Sequence, residues 1–318
     1  MNERNLVICD SEIHYAYGLG ENISGRNELA VRVFVCTDLN KVRRFQEKKQ
    51  IHILVLGENV WKEKRDDIYA EQVFVLTSEI GIQLAENETE VYRFQSADAI
   101  FAKILEIYSD RTNHNVLKHV RKANQKMIAV YSPIHRIGKT TFALALGKEL
   151  SNYSKTLYIN MESYADINGR IKSVNGKNLG DLFYYIKQEK GNVALRLSMM
   201  VSQIGNLDYV SPMRMSSDLH EIKLEEWEIL FTQILENTIY ENIVLDLGEG
   251  IQGLFGILQM CNKIYMPVLE DMVSAQKLAQ YDENLQILKL KNVQQNTYRF
   301  TVVDNMEEYA RKLIKGEQ

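Results

Sequence analysis

The residues with the most evident chemistry lie in one short stretch, Pro133-Ile134-His135-Arg136-Ile137-Gly138-Lys139-Thr140-Thr141. An apolar run, Met127–Tyr131, leads into it, and apolar residues at helical spacing follow as far as Leu150. A strand, a tight loop ending Gly-Lys-Thr-Thr and a helix make up the second half of a Walker A phosphate-binding motif. Gly138 lets the backbone come close to phosphate oxygens. The helix that begins there aims its free N–H groups and the positive end of its dipole at them. Lys139 is placed to reach the β- and γ-phosphates as a point charge, Thr140 to ligate Mg²⁺ through its hydroxyl, and Thr141 to reach the α-phosphate. The chemistry implied is the binding of ATP with Mg²⁺. The first half of the motif departs from pattern, because Pro133 stands where glycine is usual. In one reading His135 or Arg136 donates to phosphate from its side chain; in the other Arg136 faces solvent.

A second site residue is expected from a neighbouring strand. The run Tyr240-Glu241-Asn242-Ile243-Val244-Leu245-Asp246-Leu247-Gly248 puts Asp246 at the C-terminal tip of a buried strand, where ligands bind in open parallel sheets. There Asp246 would hold Mg²⁺ through a water, and the Gly248 backbone would sense the γ-phosphate. The alternative is an aspartate that caps the next segment. From about Lys126 to the C-terminus the chain resembles the MinD/ParA-type ATPases. The resemblance rests on Ile134 to Thr141, on Thr156–Glu162, on the Asp246 strand and on Lys263–Asp271. It implies a P-loop NTPase domain that forms a homodimer and hydrolyses ATP weakly, with Lys139, Asp246 and Glu162 as the catalytic residues. The family's switch I carboxylates fall near Asn160 and Glu162, of which only Glu162 is acidic; it either orients a water or is an ordinary charged residue at a strand end. Pro267 and Val268 fall where the family cradles adenine. The family's early lysine, which crosses the dimer interface to the partner's ATP, is replaced here by Ile134, and Arg136 is the nearest cation.

These residues need a scaffold. Strands are expected at Met127–Tyr131, Thr156–Asn160, Ile243–Asp246, Lys263–Pro267 and Arg299–Val303, with helices at Thr140–Leu150, Leu224–Glu236 and Val273–Gln280. The first third carries its own strand pattern at Asn5–Asp10, Val31–Asp38, Ile51–Gly57, Gln72–Thr77 and Glu90–Phe94. Helical segments are expected at Asn40–Lys49 and at Ser96–Tyr108, the latter behind a Ser N-cap. Short β-branched strands alternating with helices imply a parallel sheet covered on both faces. The fold class is therefore α/β in two domains. The first, residues 1–110, looks like a receiver domain with a flavodoxin-like five-stranded parallel sheet. The second, residues 126–318, is a doubly wound MinD/ParA-like sheet. Residues 111–125 form a basic connection, read as a linker, with a nucleic-acid or lipid patch as the alternative.

A working receiver needs an acceptor Asp after its third strand and a Lys after its fifth. Asp10 and Thr77 fit that pattern, but the third strand ends in Gly57-Glu58 and the fifth in Arg93-Phe94. A pseudo-receiver kept for protein contacts is the expectation. Its fusion to a MinD-like domain resembles the CpaE/TadZ family of Flp/Tad pilus assembly. That resemblance implies a localisation factor that meets pilus or secretion machinery through the receiver-like domain and uses ATP-dependent dimerisation as a switch. The alternatives are a scaffold that binds nucleotide without turnover, and a partitioning or flagellar-number ATPase.

Composition narrows the class further. Hydrophobic residues make up 45% and charged residues 25% of 318 residues, with a formal net charge of −4, so there is no strong nucleic-acid signal. Cys9, Cys36 and Cys261 lack metal spacing and read as small buried hydrophobes in a reducing compartment. No stretch approaches the roughly 20 apolar residues of a membrane span, and a cytoplasmic protein is expected, with recruitment to a cell pole or the inner face of the membrane left open. The tail, Met306–Lys315, reads as a docked helix through Tyr309, Leu313 and Ile314, with a membrane anchor as the alternative.

Overall fold

The computed structural model describes residues 3–24, 26, 29–63, 66–79, 81, 83–112, 125–164, 177–187 and 193–316. Most of the expected basic connection lies outside them. The chain divides into two compact units. The first takes in residues 1–119 together with 194–199, the second residues 120–193 and 200–318.

In the first unit the order is β1 (Arg4–Cys9), α1 (Ile13–Ser24), β2 (Val31–Cys36), α2 (Leu39–Gln46), β3 (Ile51–Gly57), α3 (Glu58–Trp61), β4 (Ala70–Thr77), β5 (Glu88–Tyr92) and α4 (Ala97–Thr112). The five strands stand in the order β2-β1-β3-β4-β5 and pair in parallel throughout. This is the flavodoxin-like doubly wound order. Pleating explains the two-sided core. Leu6 and Ile8 of β1 join Ile53, Val55, Phe74 and Leu76 under α1 and α4, while Val7 and Cys9 join Leu54, Leu56 and Val73 under α2. The central strand β3 is buried along its whole length, which is why it reads as an uninterrupted apolar run. The caps follow the sequence: Asp38 accepts from the Lys41 N–H at 3.1 Å and Ser96 from the Ala99 N–H at 3.2 Å. Between β4 and β5 the described residues contain no helix.

From β6 on, the order is β6 (Lys126–Val130), α5 (Lys139–Ser151), β7 (Thr156–Met161), α6 (Leu179–Lys187), α7 (Val193–Met200), β8 (Ser202–Ile204), β9 (Leu207–Val210), α8 (Ser216–Glu221), α9 (Leu224–Asn237), β10 (Asn242–Leu247), α10 (Leu254–Met260), β11 (Lys263–Val268), α11 (Met272–Ile287), α12 (Lys291–Asn296), β12 (Thr297–Thr301) and α13 (Met306–Lys315); all but residues 194–199 of α7 belong to the second unit. Seven strands form one sheet in the order β12-β11-β6-β10-β7-β9-β8, and all neighbours are parallel except β8 and β9. The expected strands and helices are present within a few residues of their anticipated ends, except that the helix expected at Val273–Gln280 continues to Ile287. The β8–β9 hairpin was not anticipated. Its Gly205-Asn206 turn has φ of 65° at the glycine, the first central position of a type II′ turn, and the dipeptide was the signal for it.

The expected docked tail is present: α13 buries Met306 and Ala310, and the Tyr309 ring lies 4.9 Å from that of Phe300 and 6.2 Å from that of Phe142 on α5. No helix among the described residues is long and apolar enough to cross a membrane.

Residues 194–199 of α7 supply Ala194, Leu195 and Met199 to the core of the first unit, where Arg196 also meets Glu106 at 2.9 Å. Leu195→Ala should therefore destabilise the first unit by about 2–5 kcal/mol. The chain has two tryptophans, so a Trp227→Phe background leaves Trp61 as the reporter of that unit. Denaturant unfolding followed through Trp61 should shift to lower denaturant; an unchanged midpoint would mean that α7 adds nothing to this core.

Candidate functional site

The loop between β6 and α5 has the geometry of an anion cradle. Arg136 and Gly138 both have left-handed backbone, with φ of 56° and 80°. At Gly138 the open side costs nothing, whereas Arg136 carries a side chain in a region that disfavours one. Gly138 caps α5 without any side-chain bond, and the first backbone bond of the helix runs from the Phe142 N–H to the Gly138 carbonyl at 2.9 Å. The N–H groups ahead of it stay available to a ligand, and the helix dipole points the same way. Ile134 is 5% exposed and its N–H donates to Ser132 Oγ at 3.2 Å, so this side chain is buried. His135 and Arg136 are exposed, and His135 Nε2 lies 3.0 Å from Glu249 Oε2. Pro133 is half-buried and Ile137 buried, and neither offers a side-chain donor.

Lys139 is buried at the first turn of α5. Its Nζ donates to the Leu247 carbonyl at 3.1 Å and meets Glu162 Oε1 at 2.8 Å. The strand register explains the gathering. Asp246 of β10 pairs with Val130 of β6 on one side and with Asn160 of β7 on the other. The loops that carry Lys139, Glu162 and Gly248 all leave the sheet at this edge. The Gly248 N–H bonds to the Met161 carbonyl at 3.2 Å. Thr140 is half-buried and Thr141 exposed. Pro267 and Val268 close β11 beyond Tyr265, which pairs with Val130, and so reach the same edge of the sheet.

Asp246 is wholly enclosed. Its Oδ2 accepts from the Tyr158 hydroxyl at 2.9 Å and from Asn160 Nδ2 at 3.2 Å, while Oδ1 has no partner. Burial pushes the carboxyl up to about 6; the Thr140 hydroxyl beside it works against the rise, and Glu162 adds to it. A buried carboxylate oxygen with no donor, next to a threonine hydroxyl, suits a hard divalent cation. No cluster of three or more His, Cys, Asp or Glu among the described residues could hold a metal alone. A cation here would need phosphate and water oxygens as well, which Mg²⁺ favours. Thr140 and Asp246 would hold it, and it would neutralise charge on the β- and γ-phosphates. Tyr158 and His220 were not anticipated. Tyr158 lies within the expected strand Thr156–Asn160 and carries no local signal of its own. His220 sits on α8 with Nε2 2.9 Å from Ser163 Oγ, and only the fold brings those two together.

The first unit carries a second charged centre, at the ends of β1, β3 and β5. Asp10 is 2% exposed, and a Cβ on Gly57 would overlap its carboxyl group. Asp10 thus fills the space that a side chain at Gly57 would need. Arg93, also buried, meets Glu12 at 2.9 Å and Asp10 at 3.8 Å, and its guanidinium lies 4.6 Å from the Tyr15 ring. Glu58 is tied up by Ser78 and Lys62, and the Thr77 hydroxyl by Glu90. No acidic side chain stands at Gly57, and the cation of the centre is already paired.

Because the folded carboxyl of Asp246 titrates near 6 and an unfolded aspartate near 4, the folded chain binds the extra proton between those values. Without ligand, this group's cost is full above pH 6 and fades as pH falls toward 4, a gain of roughly 3 kcal/mol at most. Asp246→Asn should remove that gain from the pH dependence of unfolding. Stabilisation by ATP with Mg²⁺ should have the opposite dependence and weaken below pH 6, and thermal unfolding across pH 5–8 measures both.

No family model matches the chain, and no curated protein matches it. Among solved structures it is similar to a plasmid partition protein from Borrelia burgdorferi, at 18% identity over 60% of this chain and 86% of the other, with a TM-score of 0.42. A ParA family ATPase from Chlorobium tepidum is similar at 15% identity over 60% and 81%, with a TM-score of 0.44. The MinD cell division protein of Aquifex aeolicus is similar at 16% identity over 60% and 73%, with a TM-score of 0.42. At these values the likeness carries no argument about ligand, activity or partner.

Proposed function

We propose that the second unit binds ATP with Mg²⁺ and acts as a MinD/ParA-like positioning ATPase, with ATP-dependent dimerisation as its switch. The observation that carries this reading is the meeting of Lys139, Thr140 and the unpartnered Asp246 Oδ1 at the mouth of the Gly138 loop. In it, the loop amides and Lys139 bind the phosphates, Thr140 and Asp246 hold the cation, and Glu162 gives up Lys139 to the γ-phosphate and becomes free to orient a water. Gly248 follows by exchanging the Met161 carbonyl for a phosphate oxygen. Pro267 and Val268 flank the base. The first unit is a pseudo-receiver, in which Gly57 in place of an acceptor and the Asp10–Arg93–Glu12 set in place of a lysine leave a surface for protein contacts. A localisation factor for a Flp/Tad-type pilus or secretion system, working in the cytoplasm and drawn to a pole or the membrane face, fits these two parts.

A second reading is favoured by Ile134. A buried isoleucine supplies no charge to a partner's phosphate, so the domain would bind nucleotide and dimerise without turnover, unless the exposed Arg136 takes that role.

Calorimetry on Lys139→Ala should show ATP affinity reduced by about 100-fold, about 2.8 kcal/mol; undiminished affinity would remove the phosphate-loop assignment. Turnover and oligomeric state, measured with and without ATP and Mg²⁺, separate the two readings. Slow hydrolysis by ATP-dependent dimers, lost in Asp246→Ala, supports the switch. Dimers without hydrolysis support the scaffold. Treatment with a small phosphodonor should leave the first unit without an acyl phosphate, and a base-labile adduct there would contradict the pseudo-receiver.

A further inference from the structure

Asp246 is gripped by one oxygen only. Oδ2 takes both donors, Tyr158 at 2.9 Å and Asn160 at 3.2 Å, whereas the equally enclosed Oδ1 takes none. The donors are themselves committed. The Glu162 N–H donates to Asn160 Oδ1 at 2.9 Å, which fixes the amide with its nitrogen toward Asp246. That nitrogen also donates to the Tyr158 hydroxyl at 3.0 Å. A hydroxyl that accepts from Asn160 has its single proton left for Asp246. Tyr158 is 0% exposed, so no water replaces that proton if the hydroxyl is removed.

We infer that Tyr158 and Asn160 are positioning residues that anchor Asp246 through Oδ2 and so present Oδ1 to the divalent cation that arrives with nucleotide. The inference rests on the Mg²⁺·ATP reading above. It also accounts for the amide at position 160. An aspartate there would have no proton to give and would set a second carboxylate against Asp246. Outer partners of this kind hold a metal ligand's orientation, and losing one typically costs about 10- to 100-fold in metal affinity.

The test uses the full chain, a non-hydrolysable ATP analogue and Mn²⁺ in place of Mg²⁺, with bound Mn²⁺ read by electron paramagnetic resonance. Tyr158→Phe keeps the ring and removes only the hydroxyl. It should weaken Mn²⁺ binding about 10- to 100-fold while analogue affinity in EDTA stays at the wild-type value. Asn160→Ala should act in the same direction and carries the test if Tyr158→Phe does not fold. Wild-type Mn²⁺ affinity in both variants would overturn the inference and leave the nucleotide reading standing. An equal loss of metal-free analogue affinity would mean a merely structural role and would also overturn it. A wild-type protein that binds neither analogue nor Mn²⁺ would instead remove the nucleotide reading itself.

Discussion

A carboxylate held out of water at the end of a central strand sets the terms for the second unit. Asp246 has no solvent contact, and an ionised group in such a place is costly unless other groups compensate it. The fold compensates half of it. Tyr158 and Asn160 satisfy one oxygen, and the strand order that seats β10 between β6 and β7 brings those donors from the adjacent strand. The other oxygen takes no hydrogen bond, and the Thr140 hydroxyl of α5 stands beside the carboxyl. Lys139 and Glu162 repeat the theme one layer out. They pair with each other at 2.8 Å, so an arriving phosphate competes with Glu162 for a cation already in position. The site is assembled without ligand but not saturated.

The first unit treats the same problem in the opposite way. Asp10 also lies at the C-terminal end of a β-strand in a parallel sheet, and its Oδ2 too lacks a hydrogen bond, but here a cation stands within the centre: Arg93 lies 3.8 Å from Asp10 and 2.9 Å from Glu12. Burial raises the Asp10 carboxyl, while the Glu12 backbone N–H and the Arg93 guanidinium pull it down. With Gly57 leaving room only for Asp10 itself, the centre is closed by its own side chains. One fold principle, ligand chemistry at the C-terminal edge of parallel strands, thus yields one centre open to a ligand and one filled by its own arginine.

The phosphate loop depends on packing behind it as much as on its own residues. Ile134 and Ile137 are each 5% exposed and anchor the loop by burial, where a glycine-rich loop would rely on backbone freedom alone. On the other side of α5, Phe142 meets Tyr265, Phe300 and Tyr309, so β11, β12 and α13 brace the helix whose N-terminus faces the ligand. The Met306 methyl of α13 lies 3.4 Å from the place of a Cβ on Gly138, so the tail helix reaches the cradle itself.

Local signals were enough to read the individual strands, because each buried parallel strand is a short β-branched run, and to read Gly138-Lys139-Thr140-Thr141, because that chemistry is contiguous. The place of Asp246 at a strand tip was legible for the same reason. The short β8–β9 hairpin is legible in its Gly205-Asn206 dipeptide, which favours a tight two-residue turn. What the sequence could not determine are relations between residues far apart along the chain. Tyr158 and Asn160 belong to Asp246 only because β7 pairs with β10. Glu162 belongs to Lys139 only because two loops leave the sheet at one edge, and Leu195 belongs to a core built from the first 119 residues. A side chain's role in such cases is fixed by strand order and register, which depend on the burial of the whole sheet and leave no mark in any one segment.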